Sequence, residues 1–355
     1  MILRDLLKVL GSHRRDGRNL SQAESYRAFA TVLDGGESEI QVGAFLIALR
    51  WKGVTCEELV GFAQAARERA RIPCVGMPDL VTLCPPQDGV DLHPPLEVAS
   101  AFIAAGAGAR VLLVTDRCVP PRRGLTAANV FEYLQCGLTW DPTEAEDWVG
   151  RYRVAGISAC GMLPGLLGLR NVRKDVGVRT PLSTVEKLIA PPSGAIVIGA
   201  QSGPVLGTAV EVMQALGHPS GMAIQGLEGS VVPTLRKRSR GIHLDGRHQV
   251  PMTIAPADLG LDCPEDPELP LFGPPEGEDE GSADNPALVR AAGEAVLGVL
   301  AGQAGPARNA AVLTAAVCLR AMGRAMTFAE GVDLAIESLD SGAAHEILVR
   351  LKEAV

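Results

Sequence analysis

Beyond residue 73 the chain alternates short, wholly apolar runs with helix-like stretches, and few fold classes tolerate that rhythm. The runs are Leu80–Leu83, Val111–Val114, Val154–Ser158, Ala195–Ile198 and Met222–Ile224; the helix-like stretches include Val98–Ala105, Thr126–Leu134 and Val205–Leu216. Runs this short and this uniformly apolar suit strands buried on both faces, and an intervening helix lets successive strands run parallel. The pattern predicts a mostly parallel α/β sheet covered on both sides. The first 70 residues keep a different period. Leu3, Leu6, Leu7 and Leu10 have helical spacing, Ser21-Gln22-Ala23-Glu24 is a capping box, Val42–Leu49 is strongly apolar, and Thr55-Cys56-Glu57-Glu58 opens another helix. The expected fold class is therefore mixed α+β and α/β: a small all-helical N-terminal domain over residues 1–72, packed on a larger α/β domain over 73–355.

A chain of 355 residues, 47% apolar, has ample material for a core. No apolar run reaches membrane-spanning length and Met1-Ile2-Leu3-Arg4-Asp5 lacks a signal-peptide core, so a cytoplasmic protein without membrane partners is expected. The eight cysteines form no CxxC pair and read as reduced, mostly buried thiols. His243 and His248 fall in a loop-like stretch and form no metal pattern. Ser158 and Cys160 have no evident histidine partner and read as buried small residues. The formal net charge of −8 conceals an asymmetry. Ten acidic residues and no Lys or Arg lie between Asp258 and Asp284, so the rest of the chain is net +2. The acidic stretch, 258–285, is Pro- and Gly-rich and reads as a mobile, solvated insertion.

Several longer stretches carry a resemblance. Leu33-Asp34-Gly35 with Gln41 to Gly53, Ala99-Ser100-Ala101-Phe102, Val172 to Thr180, Gly305 to Ala310, and Glu330 to Ala335 with Ser341-Gly342 closely resemble anthranilate phosphoribosyltransferases. These share a fold with the pyrimidine nucleoside phosphorylases. The resemblance spans essentially the whole chain and implies a homodimer joined through the N-terminal helices, with a segment near 165–190 returning to the helical domain.

The chemical motifs of that family are thinner here. Its glycine-rich loop grips the pyrophosphate of phosphoribosyl pyrophosphate, whereas this crossing reads Leu83-Cys84-Pro85-Pro86-Gln87-Asp88-Gly89, and only Asp88 and Gly89 match. Proline has no N–H, so the turn is expected to be a poor phosphate cradle. Where the family has an Asn-x-Ser-Thr phosphate contact, this chain has Pro95, Glu97 and Val98, and Glu97 is expected to repel a phosphate. The family's Lys-His-Gly-Asn-Arg strand end becomes Leu113 to Arg117, losing the lysine and keeping the arginine. Its magnesium-holding acidic pair becomes Glu228-Gly229, leaving Glu228 as a weak metal candidate. This pattern of loss is similar to the YbiB-like branch of the family, which lacks those motifs and binds nucleic acid without marked sequence preference. Gly226 to Val231 and Lys174 to Arg179 resemble that branch as well.

The positive charge is clustered. Arg117, Arg122 and Arg123 form one group, Arg170, Arg173, Lys174 and Arg179 a second, and Arg236, Lys237, Arg238 and Arg240 a third; Arg14, Arg15 and Arg18 lie near the N-terminus. With Asp88 and Gly89, residues Arg117, Arg122, Arg123, Arg173 and Arg179 are the candidates for an anion-binding cleft. Arg170, Lys174 and Arg236 to Arg240 are candidates for contact with single- or double-stranded nucleic acid. The run at 236–240 reads equally well as a solvated loop, and Arg173 and Arg179 match family positions that bind anthranilate or stabilise the cleft. Aromatics are only 4%, which speaks against a base-stacking platform, and the acidic insertion is placed to compete for a basic groove. No catalytic residue is singled out and no cofactor is expected. The resulting expectation is a family member with a degraded donor site that binds nucleic acid or another polyanion. The alternative is a glycosyl- or phosphoribosyltransferase of altered substrate using Asp88, Arg117, Arg173 and Glu228, and only that alternative calls for magnesium.

Overall fold

Five apolar runs become strands whose residues are almost all buried: β1 (Leu80–Cys84), β2 (Arg110–Thr115), β4 (Val154–Ser158), β5 (Ala195–Ala200) and β6 (Ser220–Gln225). A computed structural model of the protein describes residues 2–10, 17–201, 203–271 and 280–354. Arg14, Arg15 and the acidic residues within 272–279 lie outside them. With β3 (Leu138–Thr139), β7 (Ser239–Asp245) and β8 (His248–Ile254), the eight strands among the described residues form one sheet of order β3-β4-β2-β1-β5-β6-β7-β8. Strands β1 to β6 pair in parallel, and β7 and β8 are antiparallel additions at one edge.

That hairpin corrects the loop-like reading of the stretch holding His243 and His248, whereas Arg236 to Arg238 lie in the exposed loop that leads into β7. Asp245 pairs with His248 across a two-residue turn, and His243 is buried. Its imidazole pKa is held down by burial and by Arg320.

The N-terminal helices are α1 (Ile2–Leu10), α2 (Gln22–Leu33), α3 (Glu39–Lys52) and α4 (Cys56–Arg69). Helices α2, α3 and α4 each open on a capping box, at Ser21, Ser38 and Thr55, which satisfies orphan N–H groups at their first turns. Phe29, Phe45 and Phe62 stack in their shared core. Short helices Ala159–Met162, Gly165–Gly168, Arg170–Val176 and Leu182–Val185 leave β4 and pack back on α2, α3 and α4 before β5 begins. In the α/β part, α5 (Glu97–Gly106) packs against the C-terminal helices Pro306–Ala321 and Ala343–Lys352. Among the described residues no helix is long and apolar enough to cross a membrane.

Candidate functional site

The strand order reverses direction at β1, which lies between β2 and β5, and open α/β sheets bind ligands in the crevice outside the C-terminal ends of strands at such a point. Beyond those ends lies a cavity of about 510 Å³, lined by Pro86 and Asp88 after β1, Ile198 to Gln201 from β5, Arg179 to Lys187 from the returning segment, and Arg50, Val54 and Leu59 from the helical bundle. Helix Gly203–Ala215 closes the far wall with Thr208, Ala209 and Val212.

Two glycines bring loops against these strand ends. Gly199, the penultimate residue of β5, lies so close to the turn after β6 that a Cβ there would collide with the Ser230 carbonyl. Gly89 has φ +79 and lies against the backbone of Gly124 and Leu125, where any side chain would clash. The first contact seats the 226–230 turn on the sheet and the second seats the 88–93 loop beside it. Between them lies Glu228, itself in the left-handed region at φ 52.

Glu228 answers the question posed by the prolines. Its carboxylate accepts hydrogen bonds from the backbone N–H groups of Asp91 (3.1 and 3.2 Å), Leu92 (2.9 Å) and His93 (3.2 Å), and it pairs with the Arg122 guanidinium. Arg122 also donates to Asp91 (2.5 Å) and to the Gly89 carbonyl (3.0 Å). The turn expected to be a poor phosphate cradle, Leu83 to Gly89, supplies none of these N–H groups. Pro85 and Pro86 contribute no N–H, but the loop just beyond them turns three N–H groups onto one point. A carboxylate of the chain occupies that point.

The remaining cleft arginines do not converge as free cations. Arg179 forms a bidentate pair with the buried Asp88, at 2.5 and 2.9 Å. Arg173 is buried, pairs with buried Glu186 and donates to the Pro120 carbonyl at 2.8 Å. Arg123 takes Asp284 through two nitrogens, at 2.9 and 3.1 Å, and Arg117 takes Glu132 at 2.6 Å. Arg170 donates to the Arg117 carbonyl and lies 3.7 Å from buried Asp116, which also accepts from Ser158 Oγ and the Cys160 N–H. Lys174 is exposed on the returning segment. Arg117, Arg123 and Arg170 share one polar depression beside Trp140, whereas Arg122 belongs to the Glu228 cluster, Arg179 to the apolar cavity and Arg173 to the interior.

Two buried groups depart from their ordinary titration. Glu97 is 3% exposed and one of its oxygens has no partner; burial pushes its pKa up to about 7. Burial thus weakens the repulsion expected of it, by raising its pKa and enclosing the carboxyl at the start of α5 rather than leaving it on an exposed surface. Lys187 lines the apolar cavity and donates to the Gly199 carbonyl at 2.9 Å, and burial pushes it down to about 8. Burial also raises the carboxyl of its neighbour Glu186, against the opposing pull of Arg173.

The third basic cluster differs. Arg236, Lys237, Arg238 and Arg240 are all exposed, and among the described residues none forms an ion pair. The first three line a depression with Thr234, Ser239 and the 225–228 turn, and Arg240 lies in β7. Asp266 reaches the same depression, held by the Thr234 hydroxyl and the Leu235 N–H. Leu261 and Leu269 are buried, the Leu269 N–H donates to the Leu92 carbonyl, and Asp284 holds Arg123. The described flanks of the acidic insertion are thus anchored at points, Leu269 on the β1–α5 loop and Asp284 on Arg123, while Asp258, Asp262, Glu265 and Glu268 are exposed.

A magnesium ion fits this centre poorly. Position 229 is glycine, both Glu228 oxygens are taken by N–H groups and a guanidinium, and the described residues contain no cluster of three His, Cys, Asp or Glu able to hold a metal. Sequence reasoning missed Glu186 and Lys187. Their signal was present, a charged pair set inside the apolar run from Val185 to Ala190.

Comparison with known proteins accords with this architecture. The family model for the glycosyl transferase family, helical bundle domain, matches residues 9–70, and that for the glycosyl transferase family, a/b domain, matches residues 96–345. The anthranilate phosphoribosyltransferase of Anaeromyxobacter sp. (strain K) is 32% identical over 360 residues, covering 100% of this chain and 98% of its own. That of Bacillus mycoides (strain KBAB4) is 28% identical over 331 residues, covering 93% and 92%. Among solved structures, anthranilate phosphoribosyltransferase from Thermus thermophilus superposes with TM-score 0.80 at 24% identity over 99% of this chain and 98% of its own. The Saccharomyces cerevisiae enzyme in complex with PRPP and Mg gives 0.79 at 15% identity, covering 99% and 97%; at such identities the likeness speaks for the fold alone.

Proposed function

Since the chain belongs to the glycosyl transferase family that includes the anthranilate phosphoribosyltransferases, we propose that it is a member whose donor centre is filled by its own carboxylates and that it binds nucleic acid or another polyanion without catalysis. One observation carries the reading. Each cleft arginine that an anionic substrate would use is paired with a carboxylate of the chain, while Arg236, Lys237, Arg238 and Arg240 stand exposed and, among the described residues, form no ion pair.

The mechanism of binding is electrostatic. Neutralising backbone phosphates with exposed cations releases condensed counterions and needs no base recognition. Four contacts per protomer predict a slope of log affinity against log salt of about −2.8 for a single strand and about −3.6 for a duplex. The proposed protein is a homodimer. Helix α3 exposes Ile40 (85%), Ile47 (39%) and Trp51 (92%) at spacings that share one helical face, and a second copy covering that face would remove them from water. Replacing Trp51 by Glu is expected to shift the mass seen by light scattering toward the monomer.

A second reading, a transferase of altered substrate, is favoured by the cavity of about 510 Å³ with Asp88 and Lys187 on its wall, which has room for an acceptor. Titrating phosphoribosyl pyrophosphate with Mg²⁺, and separately a fluorescent oligonucleotide, at two salt concentrations distinguishes the two. Salt-sensitive oligonucleotide binding with no small-molecule binding is expected. Micromolar binding of phosphoribosyl pyrophosphate would sink the filled-centre reading, and no oligonucleotide binding at low salt would sink the polyanion reading.

A further inference from the structure

We infer that Glu228 is a tethered occupant of an oxyanion site, a plug that an external phosphate must displace. The inference rests on the filled-centre reading and deepens it. The site is built from the N–H groups of Asp91, Leu92 and His93 and the guanidinium of Arg122, four donor groups around one carboxylate. Such a set complements a phosphate group as well as it does a carboxylate, because both spread negative charge over oxygens that accept N–H bonds.

Two independent features mark Glu228 as an inserted ligand rather than a fixed structural residue. Its backbone is left-handed (φ 52), a conformation that costs a side-chain-bearing residue energy and suits glycine. The turn that carries it is fastened separately, by the Gln201 side chain donating to the Glu228 carbonyl at 3.1 Å and by the Leu227 N–H donating to the Val232 carbonyl at 2.8 Å. The backbone can therefore stay in place when the side chain leaves. On the opposite side, Arg122 is held by Asp91 and the Gly89 carbonyl, and the loop is held by the Leu269 N–H donating to the Leu92 carbonyl and the Val90 N–H to the Leu125 carbonyl, so the donors have anchors besides Glu228.

A side chain anchored beside its own site competes at high effective concentration, so an external anion binds with an affinity reduced by the fraction of time the site is open. Removing the carboxylate should restore that affinity. The test is calorimetric titration with inorganic phosphate, in metal-free buffer, of the parent chain, E228G, E228Q and the double variant E228G/R122A. E228G suits the left-handed backbone and is expected to bind phosphate at least about tenfold more tightly than the parent, with the gain lost in E228G/R122A. E228Q, which keeps the shape and loses the charge, is expected to show a smaller gain of the same sign.

A folded E228G with parental phosphate affinity overturns the inference. If E228G fails to melt cooperatively, an absent gain in E228Q overturns it instead. A parallel arm with oligothymidylate separates the phosphate source: a gain with phosphate alone assigns the site to a free phosphate group, and a gain with both extends it to a nucleic-acid backbone. Loss of oligonucleotide binding by the parent would refute the polyanion reading and leave these phosphate results standing, so the two failures are distinguishable.

Discussion

The arginines around the strand ends and the basic strip leading into β7 have the same composition and opposite fates. Arg173, Arg179, Arg122, Arg123, Arg117 and Arg170 each stand beside a carboxylate, and Arg173 is fully interior. Arg236, Lys237, Arg238 and Arg240 project into solvent. Where its carboxylate is buried, as for Arg173, Arg179, Arg122 and Arg170, a guanidinium of the first group is a structural part, because removing it leaves that carboxylate uncompensated in a poorly hydrated place. A cation in the second group is available, because its counterions are mobile salt that a polyanion displaces. Equal charge in the sequence thus becomes architecture in one region and binding capacity in the other.

The contrast can be broken most forcefully at Arg173. R173A strands Glu186 in the interior and is expected to cost about 3–5 kcal/mol, read from urea unfolding. A loss below about 1 kcal/mol would show that the inner region tolerates exchange after all. Glu97 is the inner carboxylate without a cation, and it tests the same distinction by pH. Its folded pKa of about 7 lies above its ordinary value of 4.5, so the folded state holds the proton more tightly. Stability is then greatest below pH 4.5 as far as this group is concerned, and about 3 kcal/mol is lost as pH rises from there through 7. E97Q should flatten that part of the profile and be the more stable protein at pH 8.

Replacing all four residues of the outer strip by alanine should leave the melting temperature nearly unchanged. Oligonucleotide affinity at low salt should fall at least about a hundredfold, or roughly 2.8 kcal/mol, with the salt slope collapsing. Unchanged binding would move the polyanion surface elsewhere. The smallest effect belongs to R117A. Arg117 and Glu132 are 55% and 43% exposed, so their pair is well solvated and its loss should cost less than about 1 kcal/mol and alter binding little.

The sheet was legible because burial on both faces leaves an unbroken apolar record, and the runs at Val111, Val154, Ala195 and Met222 each lie in a strand. The hairpin of β7 and β8 was passed over although Asp245-Gly246 is a turn signal, because its outer face is polar and charged and hides the alternation. The ion pairs were not legible at all. Arg122 meets a carboxylate 106 residues away, Arg179 one 91 away and Arg123 one 161 away, separations set by the return of the chain to a shared strand end and by no local pattern. Glu97 was misread for a related reason. Its charge was visible in the sequence and its burial was not.

Asp91, Leu92 and His93 belong to no helix or strand, and ordinary loop amides trade their hydrogens with water readily. Here each has a carboxylate acceptor. Isotope exchange should find three slow amides in an otherwise fast loop, with lifetimes that report how often Glu228 lets go. The same three signals would quicken together in E228G and slow again on adding phosphate, so the backbone of this loop is a built-in clock for the occupancy of the site.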